Sequence, residues 1–366
     1  MTVTVHLVCA ARPNFMKVAP LFHGLRRTPW CRPVLVHTGQ HYDPAMSDAF
    51  FADFSLPAPD FHLGVGSGSQ AEQTGRVMMA YETVATEHRP DWLVVVGDVN
   101  STMACALAAA KLGVPTAHLE AGLRSNDRSM PEEINRIVTD RLADLLWTPS
   151  ADADENLRAE GVPTNRIDRV GNIMIDAFEM LRPRILARRA APGFGLSPGC
   201  YGVVTLHRPS NVDDRAALSG LVERLAAAAR RLPLIFPIHP RTLGRLREWD
   251  LLAPLQAAEV IVTQPLGYVD FMSLVSDARF IVTDSGGVQE ETTYLGIPCL
   301  TMRENTERPV TISHGTNRLV EPARLPNAID EVMNGRWPTG RRPDLWDGRT
   351  AGRVIDSLAR HSGILD

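Results

Sequence analysis

The feature that most limits how this chain can fold is a rhythm: a short apolar run, a polar or charged residue, then a helical pattern. Trp92 to Val96 is the clearest instance, ending in Gly97-Asp98 before an Ala-rich helix that closes at Gly113, with Asn100 or Ser101 expected to cap it. Apolar runs without alternation belong to strands covered on both faces, as in parallel sheets. The rhythm recurs at Thr2–Ala10, Pro33–Val36, Pro115–Leu119, Leu145–Thr148 and Asp168–Val170. It resumes at Tyr201–Leu206, Leu234–Ile238, Val260–Thr263, Ala278–Val282 and Pro298–Met302. Strands alternating with helices predict α/β architecture. At 366 residues the chain is long for one core, so two domains of about 170 to 190 residues are expected. The reading places a first domain at 1–171, a second at 172–350, and a last helix in 351–366 that can pack back on the first. Ile173–Arg189 reads as the crossover, and Ala190–Gly199, rich in Pro and Gly, as the linker.

Ligands of open parallel sheets bind past the carboxyl ends of the strands. Arg12, Gln40, Asp98, Glu120, His207, His239, Asp284 and Arg303 all fall just past such an end. In Thr283–Glu291 a strand leads through Ser285-Gly286-Gly287 into a helix over Val288–Leu295. A helix N-terminus offers free N–H groups and roughly half a positive charge, and two glycines let phosphate oxygens approach the backbone. Glu291, one turn in, can accept hydrogen bonds from two neighbouring hydroxyls, as in a ribose diol. Arg308 can return to the same phosphates as a fixed, charged fork. At the first strand-to-helix turn stand Arg12 and Lys17, with no glycine before Gly24, which excludes the dinucleotide fingerprint at that turn, so a bound nicotinamide is not expected there. Further on, Ser69 and Glu72 form a capping box, and Asp213 or Asp214 caps a helix whose Leu218, Leu221, Val222, Leu225 and Leu232 face the core. Pro131 starts another helix, with Ile134, Ile137, Val138, Leu142 and Leu145 as its buried stripe and Glu132 pointing away from the core. Cations and a phosphate cradle across from carboxylates suit a nucleoside diphosphate carrying a second group that undergoes chemistry.

Other classes are excluded by what the chain lacks. With a net charge of −4 and no Lys/Arg run, nucleic acid is not an expected partner. No apolar run approaches membrane-spanning length, and the short N-terminal run reads as a strand rather than a signal peptide. Five cysteines without CxxC spacing suggest reduced thiols in a cytoplasmic protein. His37 and His41 straddle Gly39 with no third ligand at a recognisable spacing, so no metal is expected.

Taken in order, the blocks ARPNFMK (Ala11–Lys17), HTGQHYD (His37–Asp43), GDVNST (Gly97–Thr102), EAGLRS (Glu120–Ser125) and PEEINR (Pro131–Arg136) resemble one family, as do those that follow. They are TLHRPSN (Thr205–Asn211), DSGGVQEE (Asp284–Glu291) and NTERPVT (Asn305–Thr311). The family is that of the UDP-N-acetylglucosamine 2-epimerases, in the bacterial non-hydrolysing branch, and the resemblance covers nearly the whole chain. It implies an α/β fold of two Rossmann-like domains facing a central cleft, GT-B-like, with UDP held mainly by the second. It also implies interconversion of UDP-GlcNAc and UDP-ManNAc, without cofactor or metal, by elimination of UDP to 2-acetamidoglucal and re-addition. On that resemblance Asp98, Glu120, Glu132 and His207 are catalytic. Arg12, Lys17, Phe271, Ser285, Gly286, Gly287, Glu291 and Arg308 bind the substrate, Phe271 and Glu291 at the nucleoside. A second UDP-GlcNAc can act as an allosteric activator at Gln40, Gln70, Arg208 and His239. A cytoplasmic homodimer serving polysaccharide biosynthesis completes the implied picture.

The chain departs from the better-known pattern in several places. Asn14 stands for a Glu, Leu266 for a Gln, HRPSN for HRREN, and the stretch from Glu120 to Pro131 is two residues shorter. Leu266 weakens a base contact, while the shorter loop and HRPSN bear on the activator site. The rival readings are a hydrolysing relative, an epimerase of a modified UDP-2-acetamido sugar, a GT-B transferase and a silent nucleotide-sugar sensor. Three carboxylates aimed at C2 speak against the last two.

Overall fold

The apolar runs form strands buried along their length, as in Trp92–Val96, where every residue is covered. The computed structural model describes residues 2–10, 12–39 and 51–365, and of Arg12 and Pro13 the backbone only. Gln40 and residues 41–43 of the HTGQHYD block therefore lie outside the described residues. By their contacts the residues fall into two compact units, unit 1 being Met1–Met180 with Asp344–Asp366 and unit 2 being Leu181–Pro343.

Unit 1 holds β1 (Val3–Cys9), β2 (Cys31–His37), β3 (Phe61–His62), β4 (Trp92–Val96), β5 (Thr116–Leu119), β6 (Leu145–Thr148) and β7 (Ile167–Arg169). They form one parallel sheet in the order β3-β2-β1-β4-β5-β6-β7. Unit 2 holds β8 (Gly202–Thr205), β9 (Leu234–Pro237), β10 (Ile261–Thr263), β11 (Phe280–Thr283), β12 (Cys299–Thr301) and β13 (Asn317–Leu319), parallel in the order β10-β9-β8-β11-β12-β13. In both sheets the chain reverses direction of travel after its first three strands. The crevice of unit 1 is thus set between β1 and β4, and that of unit 2 between β8 and β11. Arg12, Asp98, His207 and Asp284 follow these four strands, and Glu120 follows β5, next to β4.

Helices α1 (Arg12–Arg26), α2 (Gln70–Glu87), α3 (Asn100–Lys111) and α4 (Pro131–Leu142) flank the first sheet. Helix α5 (Ile173–Arg188) carries the chain from unit 1 into unit 2. In unit 2, α6 (Arg215–Ala229) buries Leu218, Leu221, Val222 and Leu225 against Phe236, Phe280 and Ile329, as expected, and Asp214 caps it by accepting from Ala217 N at 2.8 Å. Helices α7 (Tyr268–Ser276) and α8 (Gly286–Leu295) follow. The last helix, α9 (Thr350–His361), belongs to unit 1: Trp147 Nε1 donates to Ser357 Oγ at 2.7 Å, and Ile355 fills the space where a side chain at Gly24 of α1 would lie. Its first turn is held by the Asp176 carboxylate, which accepts from Thr350 N at 3.1 Å and Ala351 N at 2.8 Å.

Four local expectations are corrected. The stretch 190–199 is not a free linker. Ala190, Ala191 and Leu196 are buried in unit 2, Ala190 N donates to Ser273 Oγ at 3.1 Å, and Gly199 N donates to Asp277 O at 2.7 Å. Neither Asn100 nor Ser101 caps α3. Val99 holds the cap position, and the Asn100 amide instead donates to Gln70 Oε1 and Gln73 Oε1 of α2 at 2.7 and 2.9 Å. The capping box of α2 has one half: Ser69 Oγ accepts from Glu72 N at 3.2 Å, while the Glu72 carboxylate pairs with Arg76 one turn on. Helix α4 is turned from the expected orientation, for Ile134 is 40% exposed and the buried residues are Glu133, Asn135, Arg136, Thr139 and Asp140.

The five cysteines are all free, Cys200 exposed and the other four buried. Among the described residues no helix is long and apolar enough to cross a membrane.

Candidate active site

The polar buried face of α4 exists because two strand-end loops, those after β4 and β5, need partners. Asp98, just past β4, accepts on Oδ2 from Arg136 Nε and Nη2 at 3.1 and 2.9 Å. Arg136 also pairs with Glu133, whose other work is to accept from Ser125 N at 3.0 Å and Asn126 N at 2.9 Å. Asn135 Nδ2 donates to Asp98 O at 2.9 Å. Beneath them, Asp140 accepts from His118 Nδ1 at 2.6 Å, Gly122 N at 3.0 Å and Arg124 Nη1 at 2.7 Å, and His118 Nε2 meets Gly97 O at 2.8 Å. Burial pushes the Asp140 carboxyl up, but His118 and Arg124 together hold it below its ordinary value. One carboxylate thereby ties the loop after β5 to the turn after β4.

Glu120 stands at the end of β5 with φ +76°, a left-handed conformation that non-glycine residues rarely adopt and that costs of order 1 kcal/mol or more. Its side chain is buried and paired with Lys17 Nζ, which reaches it from α1. The pair needs Gly97: that residue has φ +70°, and a Cβ there would lie 3.1 Å from Lys17 Nζ and 3.3 Å from Glu120 Oε2. Asn14 Nδ2 donates to Val96 O at 2.9 Å and fastens the same turn. Glu132 sits half-buried in the first turn of α4.

In unit 2, β11 delivers Asp284, fully buried. It accepts from His207 N at 3.1 and 3.0 Å, Arg208 N at 2.9 Å and Asn211 Nδ2 at 3.0 Å, and its Oδ1 lies 2.9 Å from His207 Nδ1. Burial pushes its carboxyl up, yet these donors, His207 first, hold it below its ordinary value. A histidine bonded to a carboxylate through Nδ1 presents Nε2. His239, the N-cap of a short helix, lies 5.6 Å away between ring centroids.

Past Asp284 the helix opens two residues earlier than the sequence pattern suggests: Ser285 is the N-cap, makes no side-chain cap bond, and Gly286 and Gly287 form the first turn. The N–H groups of that turn have no intrahelical acceptor and suit an anion. Gly286 admits Arg308, for a Cβ there would lie 2.7 Å from Arg308 Nη1 and 2.7 Å from Glu307 Oε1. Arg308 is buried, with Nε 2.8 Å from Glu290 Oε1 and Nη1 paired to Glu307, which also meets Arg303 at 2.8 Å. Glu291, 4% exposed, accepts from Tyr268 OH at 2.8 Å, and Phe271 is partly buried three residues further along α7. Among the described residues no three His, Cys, Asp or Glu side chains gather in a way that could hold a metal ion.

A family model described as UDP-N-acetylglucosamine 2-epimerase matches residues 23–359. A UDP-N-acetylglucosamine 2-epimerase of Methanocaldococcus jannaschii is 40% identical over 363 residues, covering 96% of this chain and 98% of that one. The chain belongs to the UDP-N-acetylglucosamine 2-epimerase family. Another relative, UDP-2,3-diacetamido-2,3-dideoxy-D-glucuronate 2-epimerase of Pseudomonas aeruginosa, is also 40% identical, covering 87% of this chain and 88% of that one. The crystal structure of the Methanocaldococcus jannaschii UDP-GlcNAc 2-epimerase in complex with UDP-GlcNAc and UDP superposes with a TM-score of 0.89 at 37% identity, over 98% of this chain and 99% of that one. The two parallel α/β sheets are the GT-B-like fold expected from the motifs.

Within this family member the singled-out residues divide by unit. Lys17, Gln70, Asp98, Glu120 and Glu132 belong to unit 1, and His207, Arg208, His239, Phe271, Ser285, Gly286, Gly287, Glu291 and Arg308 to unit 2. Lys17 meets Glu120 and Arg308 meets Glu307 and Glu290, so in this structure both cations already have carboxylate partners. Gln70 Oε1 accepts from Asn100, and His239 Nδ1 accepts from Arg241 N at 3.2 Å. The sequence reading missed Arg136, Asp140, His118 and Tyr268. Arg136 carried a signal, being one turn from Glu132 and Glu133 in a short charged helix start, but its partner Asp98 is distant in sequence. Tyr268 likewise has no local cue linking it to Glu291.

Proposed function

We propose that this chain is a non-hydrolysing UDP-GlcNAc 2-epimerase that interconverts UDP-GlcNAc and UDP-ManNAc. The observation that carries the reading is the furnishing of the carboxyl edges of both sheets: carboxylates with cation partners after β4 and β5, and a glycine-opened helix beside an Asp-oriented histidine after β8 and β11. In the reaction the C1–O bond to UDP breaks, a carboxylate takes the C2 proton, and C1=C2 of 2-acetamidoglucal forms. UDP then adds back through oxygen to C1 while a proton is delivered to the opposite face of C2, so protons and electrons balance. The C2 proton is not acidic, so departure of UDP runs ahead of proton loss, and most of the catalytic power is required at the leaving diphosphate. Helix α8, His207, Arg12, Lys17 and Arg308 serve that end. Asp98, Glu120 and Glu132 move the protons and steady the cationic sugar. Phe271 and Glu291 hold the nucleoside.

The reading extends to a cytoplasmic homodimer in polysaccharide biosynthesis and to a second UDP-GlcNAc at Gln40, Gln70, Arg208 and His239. A second reading, epimerisation of a further-modified UDP-2-acetamido sugar, is favoured by the equal identity to the diacetamido-glucuronate 2-epimerase. Product analysis with each substrate separates the possibilities. UDP-ManNAc from UDP-GlcNAc supports the first reading, and turnover of the diacetamido-glucuronate alone supports the second. UDP with free ManNAc overturns the non-hydrolysing assignment.

A further inference from the structure

We infer that Tyr268 is a positioning residue that orients the Glu291 carboxylate and thereby sets how strictly this protein requires a ribonucleotide. The inference rests on the reading of Glu291 as acceptor for the ribose diol. Tyr268 is the first residue of α7, only 3% exposed, and its hydroxyl donates to Glu291 Oε1 at 2.8 Å. Burial, and after it the nearby Glu291 charge, push the phenol well above its ordinary value, so the hydroxyl stays a donor throughout the working range.

A glutamate carboxylate turns freely about its last bond, whose torsion is broad, and a vicinal diol is recognised well only when that plane is set beforehand. A phenol anchored in the first turn of a helix sets it. The same turn carries Phe271, proposed to meet the base, so a single rigid element places the base contact and aims the ribose acceptor. The side chain of Leu266, just before α7, offers a base no hydrogen bond, which leaves a larger share of side-chain recognition of the nucleotide to the ribose.

The test is calorimetric titration of UDP, 2′-deoxy-UDP and 3′-deoxy-UDP into the wild type, Tyr268→Phe and Glu291→Gln. The wild type is expected to prefer UDP over at least one deoxy analogue by about tenfold. In Tyr268→Phe, UDP binding weakens by about tenfold while that analogue changes little, so the preference collapses. Glu291→Gln collapses it in the same way, and adding Tyr268→Phe costs little more. A preference that survives Tyr268→Phe, or equal weakening of all three ligands, overturns the inference and leaves the ribose reading standing. A wild type that binds UDP but does not prefer it over either analogue overturns the ribose reading itself. Should Tyr268→Phe not fold, the double comparison moves to Tyr268→His, which keeps a ring with a polar edge and is expected to retain a partial preference.

Discussion

The two units share a strand order over six strands and the same carboxyl edge, yet they arm that edge in opposite ways. In unit 1 the strand ends carry acids, Asp98 and Glu120, and their cations Arg136 and Lys17 come from helices. In unit 2 the strand end carries an acid that faces inward, Asp284, whose purpose is to hold His207 and its backbone in place, and what faces outward is a helix N-terminus. The contrast teaches that the parallel sheet supplies a place and the residues at its edge supply the chemistry. Under the proposed elimination the acids of unit 1 would move protons, while the helix N-terminus, His207 and Arg308 of unit 2, with Arg12 and Lys17 of unit 1, would receive the leaving diphosphate.

Breaking the comparison starts with the acid in the strained position. Glu120→Gln keeps shape and removes the charge, and is expected to lower kcat by about a thousandfold with UDP affinity nearly unchanged. Equal loss of UDP affinity in a titration would contradict the division of labour. Next in size is Arg136→Met, which leaves Asp98 and the buried Glu133 without their cation and should cost about 3 kcal/mol. Amide hydrogen exchange would place that loss in unit 1 and spare unit 2. Acid should weaken unit 1 as well. Burial and neighbouring histidines hold His6 and His37 at about 4, below the ordinary 6.5, so between those values the unfolded chain takes up protons that the folded one refuses. Stability present above 6.5 is therefore lost as pH falls, by about 1 kcal/mol for each at pH 5.5. Amide exchange compared at pH 7 and 5.5 should show that loss in β1 and β2 of unit 1, the strands that carry His6 and His37. The smallest effect sharpens the other half: Gly286→Ala crowds Arg308 and Glu307 and should weaken UDP by about tenfold, with the fraction of bound substrate exchanging at C2 little changed.

The strand ends were legible because parallel strands are continuous apolar runs and their ligand-facing residues break those runs. Asp98, Glu120, His207 and Asp284 could be found on that ground alone. The orientation of α4 could not. Periodicity equates buried with apolar, and here Glu133, Arg136 and Asp140 are buried because loops from elsewhere in the chain bring them partners. Asn100 failed for a related reason, its cap chemistry being overridden by the amides of Gln70 and Gln73. Strand β3 has two residues and β13 reads Asn317-Arg318-Leu319, so neither leaves an apolar run, and both exist by pairing with β2 and β12.

The most direct measurement is proton NMR of the protein turning over UDP-GlcNAc in D2O, following the anomeric signals and the C2 proton. The account predicts that UDP-ManNAc appears with deuterium at C2, and that returned UDP-GlcNAc also acquires it as the reaction nears equilibrium. Epimerised product retaining the original C2 proton would contradict cleavage at C2 and with it the role given to Asp98, Glu120 and Glu132.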